Sequence, residues 1–261
     1  MADWNDFRGA AKRLDDIDLP RIGSTIGVGE DALHAFMEVE AAGSGFDKKG
    51  RPKMLFEPHV FYRNLSVARR TEAVNAGLAY KAWKPGNYPA DSYPRLIKAM
   101  AIDETAALKA ASWGLGQILG ENHRLVGYAT PQMMVRAFMD DEEEHVEAIV
   151  AFLIETGIAD DLKAHRWAVV ARVYNGKEYA RHNYHGRMAI AFAKWSRIKD
   201  TPWTPGMDAV VVAEMQKPVF IPAEPDPPPP DIPAPEPVVP AKPFSEGFFM
   251  RVLRAVLSWL K

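Results

Sequence analysis

A proline-rich stretch divides the chain and limits how much of it can fold. Twelve of the 26 residues from 218 to 243 are proline, which has a fixed φ and no amide hydrogen to donate. Such a segment should form an extended polyproline-type spacer, with a reach of roughly 80 Å at about 3.1 Å per residue. We therefore predict an N-terminal lead-in over residues 1–29, a folded domain over residues 30–200 and an irregular, proline-rich linker over residues 201–243.

Residues 244–261 follow the spacer and predict a basic amphipathic helix. Apolar side chains fill one broad arc of a helical wheel, whereas Arg251, Arg254, Ser258 and Lys261 fill the other. The segment is too short, and too charged on one side, to span a bilayer. Two interpretations stay open, namely contact with a bacterial membrane and docking on the folded body or on a second copy.

Helical periodicity dominates the part of the chain before the linker. Apolar residues recur at i, i+3 and i+4 in EDALHAFMEVEA, YPRLIKAMAID, DLKAHRWAVVARVYN and NYHGRMAIAFAKWSR, among other segments. We predict a mainly α fold with at most a small β-hairpin near residues 46–60. A long helix should begin at Thr130 and Pro131, and the acidic run DDEEEH at 140–145 is interpreted as its solvated face.

Composition excludes several classes of site. The chain has no cysteine, which rules out disulfides, thiolate metal sites and cysteine nucleophiles. Its net charge of −2 provides no strong field for nucleic acid, and it has no phosphate-binding loop. His59 and His123 lack the close spacing of metal ligands. We therefore predict no cofactor, no metal and no nucleic-acid partner.

Two glutamates in the segment EDALHAFMEVEA face opposite ways. On a helical wheel with Leu33 at zero, Phe36, Met37 and Glu40 fall in one apolar stripe, whereas Glu38 falls on the polar side. A carboxyl at the inner end of a buried stripe should lose its hydration and keep its proton near neutral pH. Such a group can act as a general acid. Periodicity also leaves open a structural Glu40 that pairs with an arginine or caps a buried helix.

Three short motifs carry a resemblance to enzymes that cleave peptidoglycan. EVEAAGSGF, ASWGLGQILGENH and VYNG are similar, in the same order, to the Glu-Ser-x-Gly, Gly-Leu-Met-Gln-Ile and Ala-Tyr-Asn-x-Gly segments of goose-type lysozymes and soluble lytic transglycosylases. Together with GSGFDKKGRPKMLFEPHVFYR and YNGKEYARHNYHGRMAIAFAKW, they resemble more closely the N-acetylmuramidase domain of phage endolysins, over residues 25–196. The resemblance implies a lysozyme-like α-helical domain whose substrate is peptidoglycan.

The resemblance also implies catalytic roles. Glu40 occupies the catalytic position, where it would protonate the glycosidic oxygen between N-acetylmuramic acid and N-acetylglucosamine. A second carboxylate, a positioned water or the acetamido group of the substrate would then support the oxocarbenium-like transition state. Glu57 is the best candidate for a second carboxylate and Asp47 is the next. The structural alternative for Glu57 is a salt bridge to Arg63 or Arg51.

Six further residues are implied by the resemblance. Ser112, Trp113, Gln117 and Ile118 would line the cleft, and Tyr174 and Asn175 would orient the substrate or Glu40. Two of them have structural alternatives, since Trp113 could belong to the core and Asn175 could cap a helix end. The chain departs from the family pattern at Ala41, where serine is usual, and at Gly116, where a bulky residue is usual. We expect Gly116 to widen the cleft or loosen substrate contacts.

Three functions stay open at this point. The favoured one is a hydrolytic muramidase, and the second is a lytic transglycosylase, in which the muramic 6-hydroxyl replaces water. The third is a secreted effector or membrane-active protein whose C-terminal helix carries the activity. The N-terminal residues MADWNDFRGA lack the apolar core of a signal peptide. We therefore expect a phage lysis protein that collects in the host cytoplasm and reaches the periplasm through a separate membrane pore.

Overall fold

The computed structural model describes residues 4–41, 43–83 and 88–204, except for the side chains of residues 177 and 178. The predicted amphipathic helix at 244–261 and nearly all of the predicted linker lie outside the described residues. The division of the chain into four segments therefore stays a prediction. Within the described ranges, no helix combines the length and the apolar character needed to cross a membrane.

The described part of the chain is mainly helical, which confirms the predicted fold class. Its α-helices are α1 (Asp18–Thr25), α2 (Glu30–Glu40), α3 (Pro58–Asn64), α4 (Val67–Asn75), α5 (Tyr93–Ile102), α6 (Glu104–Lys109), α7 (Pro131–Asp140), α8 (Glu142–Glu155), α9 (Ala159–Lys163), α10 (Trp167–Asn175) and α11 (Tyr184–Trp195). Its strands are β1 (Met54–Phe56), β2 (Ala111–Trp113) and β3 (Ile118–Leu119). Short 3₁₀ turns cover Asn5–Phe7, Gly120–Asn122 and Lys177–Ala180.

The three strands form one small antiparallel sheet in the order β1-β2-β3. The predicted hairpin region does turn back on itself, because Phe46 and Pro52 form an isolated antiparallel bridge. The strand that follows, however, pairs with β2 in a register that places Met54 opposite Trp113. Periodicity could not predict this pairing, since it joins strands more than 50 residues apart. The pairing brings the end of the ASWGLGQ motif beside residue 53.

The N-terminal residues pack into the same core as the helices. Phe7 is buried and stacks on Trp4 and Trp113, with ring centroids 5.2 Å and 5.9 Å away. The backbone then runs beside the start of α8, where Lys12 donates to Asp140 O at 2.8 Å and accepts from the Glu142 N–H at 3.0 Å. The lead-in therefore contributes aromatic core and backbone contacts to the fold.

The predicted helix from Thr130 begins as expected but is not continuous. Thr130 Oγ1 accepts from the Met133 N–H at 3.1 Å and caps α7. The helix stops at Asp140, because Asp141 adopts an extended conformation and its side chain caps α8 by accepting from the Glu143 N–H. The prediction that residues 140–145 form a solvated face is wrong, since Glu142 and His145 are buried.

Candidate active site

Glu40 is the last residue of α2, and its side chain turns inward. Its Oε1 accepts a hydrogen bond from Asn175 Nδ2 at 2.7 Å, whereas its Oε2 is buried without a hydrogen-bond partner. Glu38, two residues earlier, is exposed and accepts from Lys194 Nζ at 2.9 Å and Trp195 Nε1 at 2.8 Å. The two carboxylates therefore face as the helical wheel predicts, because a spacing of two residues separates them by more than half a turn.

The electrostatic environment of Glu40 favours its protonated form. Burial raises the pKa of this carboxyl to about 8, although the Asn175 hydrogen bond and the positive charge of Arg187 oppose the shift. Charged carboxylates are disfavoured wherever water is excluded. At neutral pH the half-buried side chain of Glu40 consequently keeps its proton.

Tyr174 and Asn175 bring the end of α10 against this carboxyl. Tyr174 is fully buried and contacts the rings of Phe36 and Phe152 edge-on, with the Phe36 centroid 4.8 Å away. Burial, and secondarily the nearby Glu40 charge, raises the pKa of Tyr174 well above its usual range. The helix ends directly after Asn175 because Gly176 has φ 75°, a conformation that glycine adopts without strain.

Residues 114–117, the β2–β3 turn, lie beside α10. The turn is tight, with φ 69° at Gly114 and φ 50° at Gln117. Gln117 Nε2 donates to Gly114 O at 2.9 Å and to Lys53 O at 3.4 Å, so its side chain ties the turn to the residue before β1. The Tyr174 hydroxyl lies 3.5 Å from Gly116 O, which links the turn to the helix that carries Asn175.

Comparison with known proteins identifies the family. The family model for N-acetylmuramidase matches residues 30–196. This chain belongs to the N-acetylmuramidase family. The structure is similar to the crystal structure of the Burkholderia AP3 phage endolysin, with a TM-score of 0.67 and 36% sequence identity over 72% of this chain and 73% of that chain. No curated protein gives a significant match. The resemblance drawn from the sequence motifs is thereby confirmed, and the chain is a peptidoglycan hydrolase.

Three of the residues expected to bind substrate are buried in the core of the muramidase domain. Ser112, Trp113 and Ile118 have no exposed surface. The Trp113 ring packs against Phe7, and its Nε1 donates to Leu108 O at 3.1 Å. This arrangement leaves no ring face for a sugar, so the core interpretation of Trp113 fits the structure.

Glu57 is also buried in the muramidase domain. It is fully buried at the N-terminus of α3, its Oε2 accepts from the Tyr88 hydroxyl at 2.7 Å, and His59 Nδ1 lies 3.5 Å from the same oxygen. Its backbone N–H donates to Ala110 O at 2.8 Å, so it lies at the end of β1 opposite to the 114–117 turn. The structure thus brings Asn175 and Tyr174 to Glu40, and holds Glu57 in a separate polar cluster.

The arginines considered as partners for Glu57 pair with other carboxylates. Arg63 forms a salt bridge with Glu121. The guanidinium of Arg51 lies 2.7 Å from Asp47 Oδ2. Asp47, the other candidate for a second carboxylate, is therefore paired as well. In the described part of the muramidase domain, no three His, Asp or Glu side chains converge as metal ligands.

A pocket of about 460 Å³ lies between α10 and α11. Its lining includes Trp167, His185 and Ala189, and Glu40 does not line it. This pocket is therefore separate from the Glu40 carboxyl.

Sequence reasoning missed two buried polar residues of α8, Glu142 and His145. Burial alone would raise the pKa of Glu142. Hydrogen bonds from the Gly45 N–H and Arg13 outweigh this effect and hold that pKa below its ordinary value. Burial lowers the pKa of His145 to about 4, so its imidazole is neutral. A signal was present, since Glu142 shares a helix face with Val146 and has the same inward position that singled out Glu40.

The space expected beside Gly116 is filled. A Cβ at this position would overlap Ile149 Cγ1 and lie 2.8 Å from Ile149 Cδ1. Ile149 projects from α8 and is almost fully buried. The structure therefore contradicts the expectation that Gly116 widens the cleft, because a large side chain on a neighbouring helix takes up the volume.

A substitution at this contact should overpack the domain. We expect Gly116→Met to lower the free energy of unfolding by about 1–3 kcal/mol. The loss should be smaller in the double variant with Ile149→Ala, because the truncated side chain releases space. Urea unfolding of the four proteins of this cycle measures the coupling, and strictly additive effects would show that the two positions do not share a volume.

Asn175 should influence the proton affinity of Glu40. Its Nδ2 donor stabilises the charged carboxylate, so Asn175→Leu should raise the pKa of Glu40 by about one unit. We expect the alkaline limb of the kcat/KM profile to move to higher pH and kcat to fall about tenfold, because the acid loses its orienting partner.

The matched control for this prediction is Asn64→Leu. Asn64 Nδ2 donates to a different carboxylate, Glu121 Oε2, at 3.1 Å. This variant should keep the pH profile of the parent. An alkaline limb that stays in place in Asn175→Leu would mean that the hydrogen bond does not act on the Glu40 proton.

Proposed function

We propose that this muramidase is a phage endolysin that cleaves the β-1,4 bond between N-acetylmuramic acid and N-acetylglucosamine. Family membership supports peptidoglycan as the substrate, and the similarity to the Burkholderia phage endolysin supports a role in host lysis. The observation that carries the proposed chemistry is the buried Glu40 carboxyl, bonded to Asn175, with a pKa of about 8.

Glu40 acts as the general acid in this proposal. Its proton passes to the glycosidic oxygen as the bond breaks, and the carboxylate that remains is stabilised by the donor Nδ2 of Asn175 and the charge of Arg187. These two groups oppose the effect of burial, so the acid holds its proton at neutral pH and can still release it. A raised but attainable pKa is the property that a general acid needs.

The second half of the reaction uses water or the acetamido group of the substrate in this proposal. Retaining glycosidases with a carboxylate nucleophile place their two carboxyl groups about 5–5.5 Å apart. Glu57 is fully buried and engaged by Tyr88, which supports a structural role rather than a nucleophilic one. Its direct participation in catalysis stays a prediction.

A lytic transglycosylase is the second candidate, favoured by the same observation that Glu57 is engaged elsewhere. A single carboxylic acid suffices when the muramic 6-hydroxyl attacks in place of water. Mass spectrometry of digested peptidoglycan separates the two reactions, because hydrolysis leaves a reducing end that has gained water and transglycosylation leaves an anhydro end. We expect the hydrated product.

A chain truncated after residue 220 should yield the same product from isolated walls, whereas a loss of that activity would favour the tail as the active part.

The proposed route to the substrate follows from the endolysin role. The enzyme collects in the host cytoplasm and meets the wall in the periplasm after a separate membrane pore opens. Contact of residues 244–261 with a bacterial membrane would then assist lysis of intact cells without contributing to the chemistry.

A further inference from the structure

Glu142, in the first turn of α8, holds the segment that follows Glu40. Its Oε1 accepts from the backbone N–H of Gly45 and from Ser44 Oγ at 3.3 Å. Its Oε2 accepts from Arg13 Nε at 2.6 Å. A buried carboxylate is tolerated only when its oxygens are paired, so residues 43–46, here called the glycine loop, are tied to α8 and to the N-terminal residues.

His145 lies one turn further along and holds the 114–117 turn. Its Nδ1 accepts from the Leu115 N–H at 3.2 Å, and its Nε2–H donates to Phe138 O at 2.8 Å. Both loops touch the ring, since a Cβ on Gly114 would lie 2.9 Å from Nδ1 and a Cβ on Gly45 would overlap the same atom. The imidazole is therefore in contact with the glycine loop and with the 114–117 turn at once.

These contacts join the segment that follows Glu40 to the turn that meets Tyr174. The glycine loop begins three residues after Glu40, and the 114–117 turn meets the Tyr174 hydroxyl through Gly116 O at 3.5 Å. Neither loop belongs to a helix or to the three-stranded sheet. Lys53 joins both loops through the backbone, since its N–H donates to Gly45 O at 2.6 Å and its carbonyl accepts from the Gly114 N–H at 2.8 Å. Glu142 and His145 add side-chain hydrogen bonds from α8 to the same two loops.

We propose that Glu142 and His145 are positioning residues for the muramidase reaction, which hold the glycine loop and the 114–117 turn so that the Glu40 carboxyl stays dehydrated and oriented. Neither residue touches the substrate. The inference rests on the proposed role of Glu40 as general acid, and it assigns a function to the acidic run at 140–145.

The test begins with His145→Phe, which keeps an aromatic ring but removes the acceptor for the Leu115 N–H. On soluble peptidoglycan fragments, kcat should fall between about tenfold and about 100-fold with little change in KM, because the acid loses its orientation. The alkaline limb of the kcat/KM profile should move to lower pH, since water that reaches Glu40 lowers its pKa. His145→Asn, whose amide oxygen can accept from Leu115, should recover much of kcat.

Gly45→Ala is a second variant that reaches the same contact without altering α8, because its Cβ would press on the His145 ring. It should reproduce the fall in kcat and the shift of the alkaline limb. Thr130→Ala is the matched control, since loss of the α7 cap costs stability away from both loops. It should leave kcat and the pH profile unchanged in assays well below its melting temperature.

Two results separate the failure of this inference from the failure of the proposed function. If Glu40→Gln is inactive while His145→Phe and Gly45→Ala keep the parental kcat and alkaline limb, the positioning role is overturned. The proposed role of Glu40 as general acid then still stands. If Glu40→Gln keeps full activity, the proposed function fails first and the positioning role fails with it.

Discussion

Replacement of Glu40 by glutamine should reduce kcat by about 10²-fold to 10⁴-fold, which is the usual contribution of a positioned general acid. Glutamine has nearly the same shape and can still accept from Asn175 Nδ2, but it has no proton to transfer to the glycosidic oxygen. KM should change little, because the loss concerns the transition state. Release of soluble fragments from purified peptidoglycan, with circular dichroism as a check on folding, measures the effect.

The chain offers a matched control for this experiment two residues earlier. Glu38 is exposed on the same helix and pairs with Lys194 and Trp195. Glu38→Gln makes the same chemical change without touching the buried carboxyl, so it should keep near-parental activity. Comparable losses in both variants would contradict a special role for Glu40 and would indicate a general effect of charge on α2.

The same substitution should change the pH dependence of stability. The pKa of Glu40 rises from an ordinary value of 4.5 to about 8 in the folded state, so between these values the folded protein keeps a proton that the unfolded chain releases. The stabilising effect of that proton is complete below pH 4.5 and is lost as pH rises toward 8. The linkage is at most about 1.4 kcal/mol for each unit of pKa difference.

Glu40→Gln removes this linkage, so its stability relative to the parent should increase with pH. We expect the difference in free energy of unfolding to be near its minimum at pH 4.5 and several kcal/mol larger at pH 8.5. Urea unfolding of both proteins at the two pH values measures it. The lowered pKa of His145 cancels in the comparison, because both proteins contain that residue. A difference that does not vary with pH would mean that Glu40 titrates normally and is hydrated.

Part of the candidate site could be read from local patterns. The inward direction of Glu40 and the outward direction of Glu38 follow from helix geometry alone, because the direction of a side chain depends only on the periodicity of its own helix. The start of α7 at Thr130 was predicted for the same reason, since a capping hydroxyl and a following proline act within one turn. These features need no knowledge of what packs against the helix.

Other parts of the site depend on which segments meet in space. Asn175 bonds Glu40 across 135 residues of sequence, and the motifs left open whether its partner is the substrate or Glu40. Trp113 lies in a cleft motif yet packs beside Phe7, and Gly116 is closed off by Ile149. Volume and burial at a position depend on neighbours from distant segments, which no local pattern specifies.

The sequence by itself determined the helical class, the likeness to muramidases and the inward direction of Glu40, because each is expressed in residue type or in spacing along one segment. Only the tertiary structure decided that Asn175 donates to that carboxyl, that Glu57 belongs to a different cluster, and that Glu142 and His145 turn inward against two loops. The physical reason is that dehydration and hydrogen-bond partners are properties of packed surfaces, which form only when segments far apart in the chain come together.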